Sequence, residues 1–232
     1  MAGQLPLVLD RPERHRLERF LPGAEGREAW DRVEAVVAGR ERFAFLWGEG
    51  GSGKTHLLEG ASRAAGGIYL DLGAMQREVT AAGLDPETVL GSGLGPGLVA
   101  LDGLEAVAGD ATWEAAVFHL YNRINEEGGR LLAAATANPN FLGLVREELR
   151  TRLQWGGSYP LGRLSDEERQ AALRLHAEAR GLELRDEVAG FLLRHYSRNM
   201  HRLVAALERL DAAALAERRR LTVPFVKAQL GL

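Results

Sequence analysis

The sequence predicts an α/β fold with a parallel sheet, followed by a small domain made only of helices. Up to about residue 161, short apolar runs of strand length alternate with segments whose apolar residues recur at helical spacing. That alternation is typical of parallel sheets with helices on both faces. After residue 162 the strand pattern stops. We therefore divide the chain into an N-terminal segment and linker (1–21), an α/β base (22–161) and a helical domain (162–232).

Each element rests on its own local signal. The apolar runs predict strands at 43–47, 68–72, 98–102, 131–135 and 159–161. The helical stripes between them predict helices at 28–37, 54–65, 74–82, 113–126 and 143–152, with a Gly/Pro-rich stretch between 82 and 96. Ser165 followed by three acids is a helix N-cap signal. It opens the last group of predicted helices, at 165–180, 186–196, 200–217 and 223–230.

The first strand leads into a glycine loop and then into a helix. From Gly48 to Thr55 the chain satisfies G-x-x-x-x-G-K-S/T, the phosphate-binding P-loop. In this motif, backbone N–H groups and the helix N-terminus surround an anion. Lys54 supplies a compact positive charge for the β- and γ-phosphates, and the Thr55 hydroxyl is a Mg²⁺ ligand. The rest of the cradle is formed by Gly48, Gly50, Gly51, Ser52 and Gly53.

The third strand ends in an acid. Four apolar residues lead to Asp102, which we expect at the carboxyl edge of the sheet as a second Mg²⁺ ligand, in the Walker B role. Many ATPases place another acid directly after this one to activate water, but this position holds Gly103. Glu105 lies two residues further along, and its reach is left open. We therefore expect slow hydrolysis of the chain's own nucleotide.

Polar residues also follow the fourth strand, and arginines precede the fifth. Thr136 or Asn138 is placed to sense a γ-phosphate, with an ordinary polar turn as the alternative. Arg150 and Arg152 lie on the predicted helix before the last strand. From residue type alone, solvated side chains are the default for such arginines.

Composition excludes several classes of protein. The chain has no cysteine, which rules out disulfides and thiolate metal sites and suits a reducing compartment. A net charge of −3 does not favour a broad nucleic-acid surface. No apolar run approaches the length of a membrane span. We expect a cytoplasmic protein with no membrane contact.

Four segments carry a resemblance to a known family: QLPLVL at 4–9, FHLYNRI at 118–124, TRLQWG at 151–156 and LTVPFVK at 221–227. Together with the P-loop, the Asp-terminated strand and the helical C-terminal domain, they resemble AAA+ ATPases. Among these, the chain is most similar to the Hda family, regulatory homologues of the bacterial replication initiator DnaA. The likeness covers essentially the whole chain. It implies an AAA+ base with a helical lid.

The resemblance also implies a cofactor. The family binds adenine nucleotide between base and lid and favours ADP, although the complete P-loop here leaves ATP open; Mg²⁺ would accompany it. The lid arginine that contacts phosphate in AAA+ proteins falls near His201, with Arg202 one residue later and Arg198 before it. One residue turns a helical side chain by roughly a quarter-turn. We assign the phosphate contact to His201 or Arg202 and leave Arg198 as an alternative.

Partners follow from the same resemblance. The family's N-terminal segment docks in the peptide pocket of the DNA polymerase III sliding clamp (β subunit), which would place Gln4, Leu5, Leu7 and Leu9 in that pocket. From the residues alone, internal packing of this segment is the alternative. DNA and the nucleoid would be reached only indirectly, through the clamp. The oligomeric state is left open, with a homo-oligomer as one alternative.

The family also promotes hydrolysis of the ATP bound to DnaA. Arg152 matches its arginine finger and would act in trans. Phe118 and Asn122, four residues apart on one helix face, would contact the initiator; a core position is the alternative for Phe118. Two other functions remain as rivals: a DnaC- or IstB-like helicase loader, and a small-molecule P-loop kinase. The loader would need more basic surface, and the kinase would need a pocket for an acceptor substrate.

Overall fold

The fold is a five-stranded parallel sheet flanked by helices, followed by a helical C-terminal part. This computed structural model describes residues 16–91, 97–217 and 219–232. The sheet order is β2-β3-β4-β1-β5, and every neighbouring pair is parallel. The strands are β1 (Phe43–Trp47), β2 (Ile68–Asp71), β3 (Leu98–Asp102), β4 (Arg130–Ala135) and β5 (Ser158–Pro160).

Helices fill the connections between strands and form the whole of the C-terminal part. In the base they are α1 (Arg27–Val37), α2 (Lys54–Ala64), α3 (Leu72–Ala82), α4 (Pro86–Gly91), α5 (Ala111–Glu126) and α6 (Glu147–Trp155). The C-terminal helices are α7 (Asp166–Glu178), α8 (Asp186–His195), α9 (Met200–Glu217) and α10 (Val223–Leu230). Short 3₁₀ turns lie at Leu17–Arg19, Ala24–Gly26, Leu104–Ala106 and Pro139–Phe141.

Most predicted elements are present, and the differences have local causes. The second strand stops at Asp71 because this side chain accepts a hydrogen bond from the Ala74 N–H and caps α3. The short helix α4 was not predicted, because its sequence lies in the Gly/Pro-rich stretch. Asp85 accepts hydrogen bonds from the Thr88 N–H and hydroxyl just before this helix. The helix predicted from 143 begins only at Glu147.

Two apolar layers cover the sheet, and they follow from the alternation of side chains along each strand. Phe45 faces the layer formed with α3, α5 and α6, whereas Leu46 faces the layer formed with α1 and α2. A third apolar cluster draws its buried members from residues 173–226 alone. The C-terminal helices therefore have a core of their own.

Polar groups connect the C-terminal helices to the base. Ser165 and Glu168 form a capping box at the start of α7. The Glu168 carboxylate also accepts a hydrogen bond from the Ala24 N–H, at 2.7 Å, so that one side chain joins α7 to the start of the base. Arg163 and Glu49 form an ion pair between the linker to α7 and the P-loop. No helix among the described residues is long and apolar enough to cross a membrane.

Candidate nucleotide-binding site

A cavity of about 780 Å³ lies at the carboxyl edge of the sheet, facing the C-terminal helices. Its size falls within the usual range for small-molecule and cofactor sites. The P-loop, the ends of β2 and β3 and the residue after β4 line it on one side. Helices α7 and α9 line it on the other. The carboxyl edge of an open parallel sheet is where such folds bind ligands.

The P-loop has the backbone conformation that its glycines permit. Gly51 and Gly53 have φ values of 86° and 100°, a region that other residues rarely adopt. A side chain at Gly48 would come within 2.4 Å of the Leu161 carbonyl oxygen, so the approach of the chain after β5 requires glycine there. Gly50, Gly51 and Gly53 line the cavity. Gly48 and Ser52 are not among its lining residues.

Lys54 begins α2 and lines the cavity. Its Nζ donates hydrogen bonds to the carbonyl oxygens of Gly48 (2.5 Å) and Glu49 (3.0 Å). Burial lowers the pKa of Lys54, and the negative charges of Glu105 and Asp102 oppose that shift. A cation at a helix N-terminus, beside the backbone N–H groups of a glycine loop, is suited to bind phosphate.

Asp102 is buried at the end of β3, where its Oδ2 accepts two hydroxyl hydrogen bonds. One comes from Thr55 at 2.6 Å and the other from Tyr69 at 2.8 Å. Burial raises the pKa of Tyr69, and the Asp102 charge adds to that rise. Both oxygens of the predicted Mg²⁺ pair, from Thr55 and Asp102, are therefore adjacent.

The Thr55 and Asp102 oxygens suit a Mg²⁺ ion that phosphate oxygens also bind. Among the described residues, no group of three or more His, Asp or Glu side chains could hold a metal ion. Mg²⁺ in phosphate-transfer sites is commonly held by one or two protein oxygens together with phosphate oxygens. The Thr55 and Asp102 oxygens fit that arrangement.

Glu105, whose reach the sequence left open, lines the same cavity. Gly103 has a φ of 76° and turns the chain into the 3₁₀ turn that carries Glu105. The Glu105 Oε2 accepts a hydrogen bond from the Thr136 N–H at 3.2 Å. Thr136 also lines the cavity, whereas Asn138 caps the next turn through Asn140 and donates to the Ser158 hydroxyl. Of the two residues after β4 that the sequence offered as γ-phosphate sensors, Thr136 lines the cavity and Asn138 does not.

Two of the three candidate residues on the C-terminal helices line the cavity. His201 and Arg202, in the first turn of α9, line it together with Asn199. Arg198 instead forms an ion pair with Asp166 at 3.0 Å and is not among the lining residues. His201 and Arg202 therefore line the cavity and Arg198 does not, and the choice between the first two as the phosphate contact stays a prediction.

Arg152 lies away from this cavity, on the last turn of α6. Its guanidinium stacks on the Trp155 ring at 3.9 Å from the centroid. Burial raises the pKa of the Tyr121 hydroxyl on α5, and the charge of Arg152 opposes that rise. The Arg146 guanidinium lies 5.5 Å from the centroid of the Phe118 ring. Helices α5 and α6 therefore pack side by side.

The predicted partner residues on α5 are only partly accessible. Phe118 is half-buried and packs against the base core, so it combines the core position and the surface position that the sequence left open. Asn122 is likewise half-buried. The clamp-binding residues Gln4, Leu5, Leu7 and Leu9 lie outside the described residues.

Sequence reasoning missed several lining residues. Tyr69 and Asp71 come from the end of β2, and Glu59, His176 and Glu208 come from helices α2, α7 and α9. A signal existed for the first two, because the carboxyl ends of parallel strands share one edge of the sheet. In the register, Asp71 pairs directly with Asp102. No pattern in the sequence indicated the three helical residues.

The chain is similar to known proteins both in sequence and in fold. A family model described as "Hda, lid domain" matches residues 166–230. A Haemophilus influenzae protein described as uncharacterized is 39% identical over 241 aligned positions, which span the full length of both chains. Residues 166–230 belong to the Hda lid family, and the chain is an Hda-like AAA+ protein. The helical part after residue 165 is accordingly the lid.

Solved structures show the same fold. Domain III of the Thermotoga maritima replication initiation protein DnaA superposes with a TM-score of 0.77 at 20% identity, covering 95% of this chain and 97% of that one. The AMPPCP-bound DnaA of Aquifex aeolicus superposes with a TM-score of 0.67 at 23% identity, covering 85% and 65%. At these identities the two structures show the fold that this chain shares with them.

Proposed function

We propose that this protein, with adenine nucleotide bound between base and lid, docks on the sliding clamp and stimulates hydrolysis of DnaA-bound ATP. The observation that carries the proposal is the cavity, which brings the P-loop, the Walker B acid and the first turn of lid helix α9 together. The match to the Hda lid family supplies the partner class. The AMPPCP-bound DnaA of similar fold supports an adenine nucleotide as ligand.

The chain's own residues divide the work of holding the nucleotide. Lys54 and the loop N–H groups would bind the phosphates, and Thr55 and Asp102 would hold Mg²⁺. Bound Mg²⁺ would neutralise negative charge on the phosphates. His201 and Arg202 approach the same cavity from the lid, so that bound phosphate would draw base and lid together. Contacts made from both sides of the cavity would thereby set the angle between base and lid.

Hydrolysis of this nucleotide is a minor activity in the proposal. Gly103 occupies the position directly after Asp102 and offers no carboxylate there. Glu105 reaches the cavity but accepts its hydrogen bond from the Thr136 N–H. Slow turnover leaves the nucleotide in place as a structural ligand.

Arg152 performs the activating step on a second protein. It lies outside the cavity, which is consistent with action on a partner's nucleotide rather than on the chain's own. A fork of five donors suits the charge that spreads over the γ-phosphoryl oxygens in the transition state. Phe118 and Asn122 on the neighbouring helix contact DnaA beside it, and the segment of Gln4, Leu5, Leu7 and Leu9 binds the clamp.

The test is single-turnover hydrolysis of ATP bound to DnaA, measured with DNA-loaded clamp. Arg152→Ala should lower the stimulated rate by about three powers of ten or more, as for other arginine fingers. Arg150→Ala is the matched control, because Arg150 lies on the same helix and pairs with Glu147 at 3.1 Å. It should keep the rate. Normal stimulation by Arg152→Ala would refute the assignment.

A further inference from the structure

One buried acid has no part in the nucleotide site. Glu59, Asp102 and Glu114 are the buried acidic side chains of the described residues. Glu59 and Asp102 line the cavity, whereas Glu114 lies on α5, among residues that do not. Its exposed fraction is 0%. A carboxylate so completely removed from water is costly unless strong hydrogen-bond donors surround it.

Three backbone N–H groups surround this carboxylate. Oε1 accepts from the N–H of Gly109 at 2.7 Å and from that of Val145 at 3.1 Å, and Oε2 accepts from the Arg146 N–H at 2.7 Å. Such charge-assisted bonds are about twice as strong as bonds between neutral groups. Glu114 therefore holds together two loops that are distant in sequence, one before α5 and one before α6.

The second loop is the start of the helix that carries Arg152. Arg146 is the N-cap residue of α6, and its own side chain makes no capping hydrogen bond. The Glu114 carboxylate supplies an acceptor there from another helix, and its negative charge also favours the positive end of the α6 dipole. Arg152 follows six residues later, about 9 Å along a rigid helix.

A second hydrogen bond holds the far end of the same helix. The Gln154 amide donates to the Asn140 side-chain oxygen at 2.6 Å. That contact is exposed, in contrast to the buried one made by Glu114. Apolar packing of Leu149 and Leu153 holds the middle of α6, and the Glu114 carboxylate is the less exposed of the two polar contacts that fix its ends.

We propose that Glu114 is a positioning residue for activation of DnaA: by fixing the start of α6, it places the Arg152 guanidinium where the partner's nucleotide will lie. The inference rests on the proposed role of Arg152. Misplacement by about 1 Å can cost a hundredfold in rate, so a small rotation of α6 is enough to lose activation.

Glu114→Gln tests this, since it keeps the volume and turns one acceptor oxygen into an amide donor that faces an N–H group. Nucleotide affinity and clamp binding should be unchanged. The maximal stimulated rate of hydrolysis should fall by about tenfold or more, while the concentration of the chain giving half-maximal stimulation changes little. Glu114→Asp, which shortens the side chain but keeps the charge, should give a smaller loss and covers the case in which Glu114→Gln does not fold.

Asp110→Asn is the matched control. Asp110 is also a carboxylate that accepts two backbone N–H hydrogen bonds, but both come from Thr112 and Trp113 at the start of α5. It should lower the melting temperature while keeping the stimulated rate. Equal loss of rate in the Asp110 and Glu114 variants, in proportion to lost stability, would overturn the positioning role, and so would full activity of Glu114→Gln.

A double-mutant cycle separates this inference from the proposed function. In an Arg152→Ala background, Glu114→Gln should have no further effect on the stimulated rate, because the group that it positions is gone. If Arg152→Ala alone keeps the rate, the proposed function fails. If Arg152→Ala loses the rate and Glu114→Gln does not, only the role of Glu114 fails. A further loss in the double variant would show that Glu114 acts by another route.

Discussion

Lys54 is held by the loop to which it belongs. Its ammonium donates to two loop carbonyls, and burial lowers its pKa. A buried cation with a perturbed pKa in a cavity is more typical of a functional group than of a stabilising one. The chain has one other lysine, Lys227, whose ammonium lies over the Phe191 ring of the lid at 5.4 Å.

Replacing Lys54 should therefore weaken nucleotide binding while the chain still folds. A ligand at a hundred times its Kd adds about 2.7 kcal/mol to the free energy of unfolding. Thermal unfolding with and without ADP and Mg²⁺ should show this gain for the parent chain and for Lys227→Met, but little of it for Lys54→Met. A full ADP-dependent shift in Lys54→Met would show that the P-loop lysine does not bind phosphate.

The buried hydroxyl of Tyr121 leads to a prediction about the free energy of unfolding alone. Its hydroxyl is buried and makes no hydrogen bond among the described residues, while its ring stacks on Phe43 with centroids 4.9 Å apart. A buried polar group without a partner costs about 1–3 kcal/mol. Tyr121→Phe keeps the ring and removes that cost. Chemical denaturation should show an unchanged or higher free energy of unfolding, and a drop of more than about 1 kcal/mol would contradict this.

For individual residues, the sequence predicted those that belong to a motif but not those that the fold places beside the motif. Lys54, Thr55 and Asp102 were predictable, because the P-loop and an acid at a strand end have fixed chemistry. Tyr69 was not, because its role depends on β2 lying beside β3. Glu114 was also out of reach. Its three donors come from loops up to 32 residues away, and no spacing encodes that contact.

Among the elements, helix α7 makes a contact between lid and base that depends on the charge of Glu168. Glu168 closes the capping box with Ser165 and also accepts from the Ala24 N–H. These two backbone hydrogen bonds lower the pKa of Glu168 below its usual 4.5. The ionised form is therefore the one that the folded chain favours.

The sign of the pH dependence follows from that shift. Because the folded-state pKa is depressed, the stabilisation is present above pH 4.5 and is lost as pH falls through the lower, folded value. Glu168→Gln should lose about 1 kcal/mol of unfolding free energy at neutral pH, a typical value for a cap. The difference from the parent chain should shrink below pH 4.5. Glu34→Gln, at an exposed position on α1, is the control.

A difference between parent and Glu168→Gln that stays constant down to pH 3 would contradict the assignment, as would an equal difference for Glu34→Gln. Urea denaturation at several pH values measures both.

The order of the strands in the sheet could not be predicted from the sequences of the individual strands. Each strand was recognisable from a short, largely apolar run. The position of β4 between β1 and β3 was not, since a parallel register leaves no trace in spacing. That insertion places Thr136 between the P-loop and Asp102, which explains why it lines the cavity. It follows from the topology, not from any property of Thr136.

For the whole molecule, the main feature is the presence of separate cores in base and lid with a shared cavity between them. The lid core consists of residues from 173 to 226, while the cavity takes residues from both parts. Contacts described between base and lid near the cavity include the edge-on packing of the His56 and His176 rings. An arrangement of this kind can respond to a ligand that contacts both sides.

The central claim is that nucleotide in this cavity puts the protein into the form that activates DnaA. The most direct measurement is the rate of hydrolysis of DnaA-bound ATP, with DNA-loaded clamp, as a function of ADP concentration. The parent chain should show a saturable rise in rate with ADP, and Lys54→Met should need at least about tenfold more ADP for the same rate. A rate that does not depend on ADP, in nucleotide-free protein that is folded and bound to the clamp, would contradict the claim.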